Sequence, residues 1–299
     1  MGERLTHPQS RLLEPIQLVV LGGIAALIGL TWLDLWRRAG EMAMHEAMGM
    51  TMPSPAPWDL ADLGTTVVMW GVMMVAMMLP SATPLLVLFA RSQRPRVGPA
   101  EGSLRTGLLA AGYLVVWLGW SALAAALQWA LHASLLLSPR AALTSALAGG
   151  ALLVVTGLYQ LTPWKYVCLT RCQSPLGFML AHWREGRTGA VRMGLAHGAY
   201  CVGCCWALMV LLFVGGVMNL NWIAALAVLV LLEKVVPGRW VSLCFGRRAG
   251  RLGALRAARR AAVRIVTSDG RRSLLPLTRV ARGGAGWVSH HPAPPTFRA

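Results

Sequence analysis

The stretch MGLAHGAYCVGCCWALMVLLFVGGVM, residues 193–218, contains no charged side chain and is long enough to cross a lipid bilayer as a helix. Other apolar stretches of similar length recur along the chain, which is 56% hydrophobic and only 13% charged. Soluble domains carry about 25% charged residues, so a soluble enzyme is excluded. The sequence predicts an all-α protein, a polytopic membrane helix bundle of about six transmembrane helices.

The apolar runs also give the positions of the six predicted spans. We place these spans at Ile16–Trp36, Leu63–Ala90 with a bend at Pro80, Gly107–Leu131, Ala141–Leu161, Met193–Met218 and Asn221–Val236. The first span ends in Trp32, Asp34 and Trp36 and has no clear cleavage site for a signal peptidase, so we interpret it as a retained anchor.

Two units follow from the change in composition near the end of the chain. Residues 1–246 form the predicted integral membrane domain, which includes an outer loop rich in Met and His at residues 39–61. Residues 247–299 are rich in Arg, Ala and Gly and predict a basic, disordered cytoplasmic tail. Within this tail, Leu252–Val266 can form a basic amphipathic helix on the membrane surface.

The formal net charge is +17, and basic loops alternate with non-basic loops along the chain. The loop after the first span is acidic, whereas residues 91–106 and 162–192 are basic. By the positive-inside rule, both basic loops and both termini lie in the cytoplasm. The positive charge therefore predicts the lipid bilayer as the partner, and no nucleic acid.

Cysteine is concentrated in the fifth span. Of six cysteines, Cys201, Cys204 and Cys205 fall within five residues, and His197 precedes them by one helical turn. The spacing of His197, Cys201 and Cys205 places all three on one helix face, with Cys204 beside it. Thiolate and imidazole bind soft metals such as Cu(I) or Zn. The alternative is that buried cysteines serve as small hydrophobic side chains.

A second pair of thiols follows the fourth span. Cys168 and Cys172 are four residues apart, so a helix would direct both thiols the same way. The predicted topology brings this pair and the first turns of the fifth span to one layer of the bundle. Glu233 and Lys234, late in the sixth span, reach the same layer and are either part of a site or a mutual or interfacial ion pair that anchors the helix end.

Methionine is the second soft donor. The outer loop contains, around one histidine, Met42, Met44, His45, Met48, Met50 and Met52, and the second span contains Met69, Met73, Met74, Met77 and Met78. Thioethers bind Cu(I) and do not oxidise to disulfides outside the cytoplasm, so we interpret the loop as a segment that collects soft metal. The alternatives are a disordered loop and ordinary packing of methionine within the second span.

At these residues the chain resembles a bacterial family of predicted metal-binding integral membrane proteins, sometimes described as copper chaperones. The resemblance is carried by Met73–Pro84, Tyr159–Pro163, Cys168 and Cys172 with Ser174-Pro175, His197–Met209, Gly216–Leu220 and Leu232–Lys234. It implies metal binding by Cys and His in the bacterial inner membrane. The pattern ends at Pro237-Gly238, where the Arg-rich segment follows, so we exclude Cys244 from the site.

The donor set favours a protein that collects, transfers or delivers copper as Cu(I), with zinc as the alternative ion. Its expected partners are a cuproenzyme or a metal-carrier protein, and a binding role is favoured over an enzymatic one. One alternative is a membrane thiol-disulfide oxidoreductase that uses the Cys pairs, although such relays face an oxidising compartment. Another is a metal-dependent membrane enzyme built on His197 and Glu233, and a third is a structural role.

Overall fold

A computed structural model of the chain describes residues 15–48, 59–134, 136–138 and 141–273. The described residues form an all-α bundle, which confirms the predicted fold class. Its helices are α1 (Pro15–Ala47), α2 (Leu60–Val97), α3 (Pro99–Ala133), α4 (Ala146–Leu161), α5 (Pro163–Gln173), α6 (Pro175–His182), α7 (Gly186–Val210), α8 (Leu212–Gly215), α9 (Leu220–Val235) and α10 (Trp240–Ser273).

Four helical segments in the described part of the chain are long and apolar enough to cross a membrane. They are Val20–His45, Leu60–Gln93, Pro99–Ala133 and Gly186–Gly215. A fifth span is possible if α4 and α5, bent by 65° at the break between them, act as one. The predicted sixth span corresponds to α9, which has 16 residues and is shorter than the usual length of about 20. The bundle is compatible with a membrane protein, but the described helices support four or five spans rather than six.

The predicted outer loop is partly helical. Helix α1 continues through Ala47, so Met42, Met44 and His45 lie on its last turns instead of in a loop, and Met48 follows in a turn. No proline or glycine follows Gly40 in this stretch until Gly49, so nothing local ends the helix earlier. Met50 and Met52 lie outside the described residues.

Close packing of α3 against α7 depends on glycine. A Cβ atom added at Gly194 would lie 2.1 Å from the carbonyl oxygen of Leu109, and one at Gly112 would lie 2.5 Å from the carbonyl oxygen of Val191. Small residues on both helices thus let the two backbones touch, as in membrane helix pairs generally. This contact fixes the height of the Cys-rich turns of α7 within the bundle.

Replacing Gly194 with alanine is expected to destabilise the folded protein by about 1–3 kcal/mol, because the new methyl group meets backbone that cannot rotate away. The matched control is Gly119→Ala on α3, where no atom lies within 4 Å of the added Cβ. That control should leave stability unchanged or raise it by up to about 1 kcal/mol. Thermal unfolding of both variants in the same detergent measures the difference, and equal midpoints would contradict this description of the interface.

The two basic loops lie at the same end of the bundle. Glu101 at the start of α3 pairs with Arg105 and with Arg187 of α7, both at 2.9 Å. Arg96 contacts Glu185 at 3.5 Å and lies over the ring of Trp183. The structure therefore joins residues 91–106 to residues 183–187, as expected for two loops on one side of a membrane.

The chain forms two compact units, Met1–Ala257 and Ala258–Ala299. In the first unit, α10 packs closely on α4, since a Cβ at Gly246 would lie 2.9 Å from the carbonyl oxygen of Gly157 and one at Gly253 would lie 2.7 Å from that of Gly150. Residues 247–273 are helical, whereas the sequence predicts disorder with a possible helix at Leu252–Val266. Within the first unit, small residues of α4 and α10 allow their close contact. Residues 274–299 of the predicted tail lie outside the described residues.

Candidate metal centre

Five sulfur atoms meet inside the bundle between α2, α5 and α7. They belong to Met78, Cys172, Cys201, Cys204 and Cys205, which are all buried. The Sγ atoms of Cys172 and Cys204 are 4.0 Å apart, and Cys205 Sγ lies 3.9 Å from Met78 Sδ. We refer to these five residues as the sulfur cluster. Three of its thiols come from α7, the fourth comes from α5, and the thioether comes from α2.

Local structure decides which thiol of α5 joins the sulfur cluster. Thr162 ends α4 and caps α5, where its side chain accepts from the backbone N–H of Lys165, and the chain bends there. Both thiols of α5 approach α7, but Cys172 is buried beside Cys204, whereas Cys168 is only half-buried. A Cβ at Gly203 would lie 2.8 Å from Cys168 Sγ, so glycine at that position leaves room for this outer thiol.

A buried lysine contacts the sulfur cluster. Lys234 Nζ, on α9, donates to Cys201 Sγ at 2.8 Å and to Ser81 Oγ at 2.8 Å. The hydroxyl oxygen of Tyr113 lies 3.1 Å from the same Sγ atom. Among the described residues Lys234 forms no salt bridge to a carboxylate. The sulfur of Cys201 is thus the group best able to balance its charge.

The neighbouring Glu233 belongs to a separate network. Its carboxylate accepts from Lys165 Nζ at 2.6 Å, from Gln160 Nε2 at 3.1 Å and from Ser242 Oγ at 3.0 Å. Glu233 and Lys165 are both buried. The expectation of a mutual Glu233–Lys234 ion pair is therefore wrong, because consecutive helical residues point in different directions. Each residue has its own partner.

His197 lies one turn before Cys201 on α7 and is buried. Its ring packs against Tyr113 at 5.7 Å and against Phe178 at 4.9 Å between ring centroids. Its Nδ1 atom is buried and has no hydrogen-bond partner in the part of the chain that the structure describes. The described residues contain no group of three or more His, Cys, Asp or Glu side chains already arranged to hold a metal ion. His197, Cys201 and Cys205 thus lie on one buried face of α7, but they do not form a complete metal-coordination site.

The methionines of α2 form a buried row that ends at the sulfur cluster. Met69, Met73, Met74, Met77 and Met78 are all buried, and they extend over about 13 Å of helix. At the end of α1, by contrast, Met44 and the following Met48 are exposed, and Met42 is half-buried. The methionines of α2 are therefore enclosed by the bundle, whereas Met44 and Met48 are accessible at its surface.

Sequence reasoning missed several residues at the centre. They are Ser81, Tyr113 and the contact of Lys234 with Cys201. No spacing in the sequence indicates Tyr113 or Ser81, because their relation to Cys201 depends on how α2, α3 and α9 pack against α7.

The comparison with protein families matches residues 67–255 of the chain to a family described as PpoB2, copper chaperone. The match confirms the resemblance and extends beyond Pro237, where the sequence pattern led us to end it. Neither the curated proteins nor the solved structures contain a match to the chain. The matched range covers more than half of the chain and includes the whole sulfur cluster. This chain belongs to the PpoB2 family of copper chaperones.

Proposed function

We propose that the protein is a membrane copper chaperone that binds Cu(I) at the sulfur cluster. The observation that carries this proposal is the burial of four thiols and one thioether, from three helices, beside a single ammonium group. Cys201 and Cys205 are the primary ligands, because they lie on the face of α7 that meets Lys234 and Met78. Cys172 and Cys204 supply the neighbouring thiols between which the ion can move.

The chemistry of the donors favours copper over zinc. Zinc in structural sites takes four thiolate or imidazole ligands in a tetrahedron, and thioether is a poor ligand for it. Cu(I) is soft, accepts two or three ligands and binds thioethers well. Pairs of sulfur atoms about 4 Å apart need only small side-chain rotations to bind such an ion. An ion held by only two or three ligands is also released more easily to an acceptor protein.

Lys234 gives the sulfur cluster a fixed positive charge. Two thiolates and one Cu(I) carry a net charge of minus one, which the ammonium neutralises without any further ligand. Burying an uncompensated charge in a bundle core is costly, so this compensation favours the copper-thiolate complex. A divalent ion at the same place is repelled twice as strongly by the ammonium.

The buried methionine row supplies a route to the cluster. Met42, Met44, His45 and Met48 on and after α1, with Met50 and Met52, collect copper at the outer face. Met69, Met73, Met74, Met77 and Met78 then pass the ion inward to Cys205. In this scheme His197 and Cys168 flank the cluster and take part in delivery. Both termini are cytoplasmic, and the acceptor is a cuproenzyme or a metal-carrier protein.

X-ray absorption at the copper edge tests this assignment. The purified, reduced protein is loaded with Cu(I), and we expect only sulfur neighbours in the first shell, with no oxygen. Cys244→Ser is the matched control, because Cys244 is exposed and lies outside the cluster. Its spectrum should equal that of the original protein. An oxygen-rich copper shell would overturn the proposal.

Replacing Met42, Met44, Met48, Met50 and Met52 together with leucine is expected to lower copper accumulation in cells several-fold. The exposed Met44 and Met48 should contribute little to any change in stability, because substitutions of exposed residues typically cost within about 0.5 kcal/mol. Copper content per cell, measured beside the amount of membrane-inserted protein, is the readout. Unchanged accumulation would exclude these methionines from the route.

A thiol-disulfide oxidoreductase is the second candidate, and the approach of Cys172 to Cys204 favours it. An enzyme that relays disulfides needs thiols accessible from an oxidising compartment. Rapid labelling of Cys204 by an impermeant thiol reagent on intact cells would support this candidate over copper binding. The metal-dependent enzyme is disfavoured, because Glu233 is engaged by Lys165 and does not converge with His197.

A further inference from the structure

A cavity of about 340 Å³ opens near the first turns of α7. It is lined by His182, Arg184, Arg192, Met193 and Ala196. We call it the His182 pocket. Both arginines are exposed, whereas His182 is half-buried and Met193 is buried. The pocket thus combines soft donors at its inner wall with positive charge at its mouth, and its volume suits a small ligand.

The hydrogen bond of His182 defines the state of its ring. His182 Nδ1 lies 3.2 Å from the backbone carbonyl oxygen of Phe178. A carbonyl oxygen only accepts, so Nδ1 carries the hydrogen and the neutral ring has its lone pair on Nε2. Metal-binding histidines usually have this arrangement, in which one ring nitrogen donates to a carbonyl group and the other binds the ion.

Phe178 connects His182 to the interior. The ring of His182 stacks on Phe178 with centroids 4.6 Å apart, and His197 meets the same ring edge-on at 4.9 Å. The buried Nδ1 of His197 has no hydrogen-bond partner among the described residues, which leaves this ring nitrogen able to bind a ligand. His197 in turn lies one turn from Cys201. Phe178 therefore contacts both the imidazole that lines the pocket and the imidazole that lies one turn from Cys201.

We infer that His182 is a second, transient Cu(I) site, from which copper passes to an acidic thiol acceptor in the His182 pocket. This inference rests on the proposed function. Copper passes from Cys201 to His197 and then past the Phe178 ring to His182 Nε2, and each new bond to copper forms as the previous one breaks. The acceptor's thiolate then forms a bond to copper as the bond to Nε2 breaks. Copper stays Cu(I) throughout, and Arg184 and Arg192 hold the acceptor's carboxylates.

The test measures release of copper from the loaded protein to two small thiols. Glutathione carries two carboxylates, whereas cysteamine carries a positive charge and none. His182→Phe retains the stack on Phe178 but removes Nε2, and release to both thiols should slow by about 10- to 100-fold, the range typical of disturbed metal sites. His182→Met restores a soft donor and should recover most of the rate. Arg184→Gln/Arg192→Gln should slow release to glutathione only.

Arg171→Gln is the matched control, because Arg171 lines another cavity of the same volume that contains no histidine. It should release copper at the original rate to both thiols. Copper bound per protein at equilibrium should not change in any variant. Original rates in His182→Phe would overturn the inference, as would equal slowing with both thiols in the arginine variant. Absence of copper from the unsubstituted protein would instead overturn the proposed function.

Discussion

Replacing Lys234 with methionine is expected to weaken Cu(I) binding by about 100-fold, or about 3 kcal/mol. Methionine fills a similar volume but removes the ammonium that lies 2.8 Å from Cys201 Sγ. The copper-thiolate complex would then place an uncompensated negative charge in the bundle core. Competition with a coloured Cu(I) chelator, carried out on the reduced protein in detergent, measures the loss.

Two variants separate the charge of Lys234 from its packing. Ser81→Ala removes the other hydrogen-bond partner of Lys234 but retains the ammonium, so its affinity should stay within about threefold of the original. Lys234→Arg keeps the charge and should lose less affinity than Lys234→Met. If folded Lys234→Met protein bound Cu(I) as tightly as the original, the role of the ammonium in compensating charge would be excluded.

The largest effect on stability is expected for Lys165→Met, at about 3–5 kcal/mol. This substitution leaves the Glu233 carboxylate buried without its cation, with only Gln160 and Ser242 as side-chain donors. Adding Glu233→Gln removes the unpaired charge while retaining an amide able to bond both neighbours. The double variant should therefore be more stable than Lys165→Met alone. Unfolding midpoints in one detergent, arranged as a double-mutant cycle, provide the measurement.

Strictly additive effects in this cycle would contradict the assignment of Lys165 and Glu233 as one buried pair. The pair joins α5 to α9, and Nε2 of Gln173 on α5 also lies within 3.1 Å of the carbonyl oxygens of Glu233, Val236 and Gly238, which share its two hydrogens. Loss of the pair should thus disturb the position of Cys172 on the same helix. We expect Lys165→Met to weaken copper binding as well, whereas the double variant regains part of it.

Helical periodicity was sufficient to predict the main part of the candidate site. The spacing of Cys201 and Cys205 depends only on the pitch of one helix, and both thiols do face the interior. The choice of Cys172 over Cys168 could not be predicted, because it depends on the 65° bend between α4 and α5. A proline-containing break in a sequence indicates a bend but not its direction.

The two charged residues of α9 give the opposite lesson. From the sequence we left a Glu233–Lys234 ion pair open, although consecutive residues of a helix do not face each other. Their actual partners depend on tertiary packing, since Lys165 lies 68 positions from Glu233 and Cys201 lies 33 from Lys234. The start of α10 gives a similar lesson. Its small residues gain a packing partner, α4, only in the folded bundle, so composition alone indicated disorder with a possible helix at Leu252–Val266.

Metal content of the purified protein tests the central claim most directly. Protein isolated from copper-supplemented cells is analysed by mass spectrometry of its metals, beside a Cys201→Ser/Cys205→Ser variant and the Cys244→Ser control. We predict about one copper per chain in the original protein and in the control, and almost none in the double variant. The double variant should still purify as a folded protein, since serine replaces each thiol with little change in volume. Copper retained by the folded double variant, or no copper in the original protein, would contradict the assignment of the sulfur cluster as the copper site.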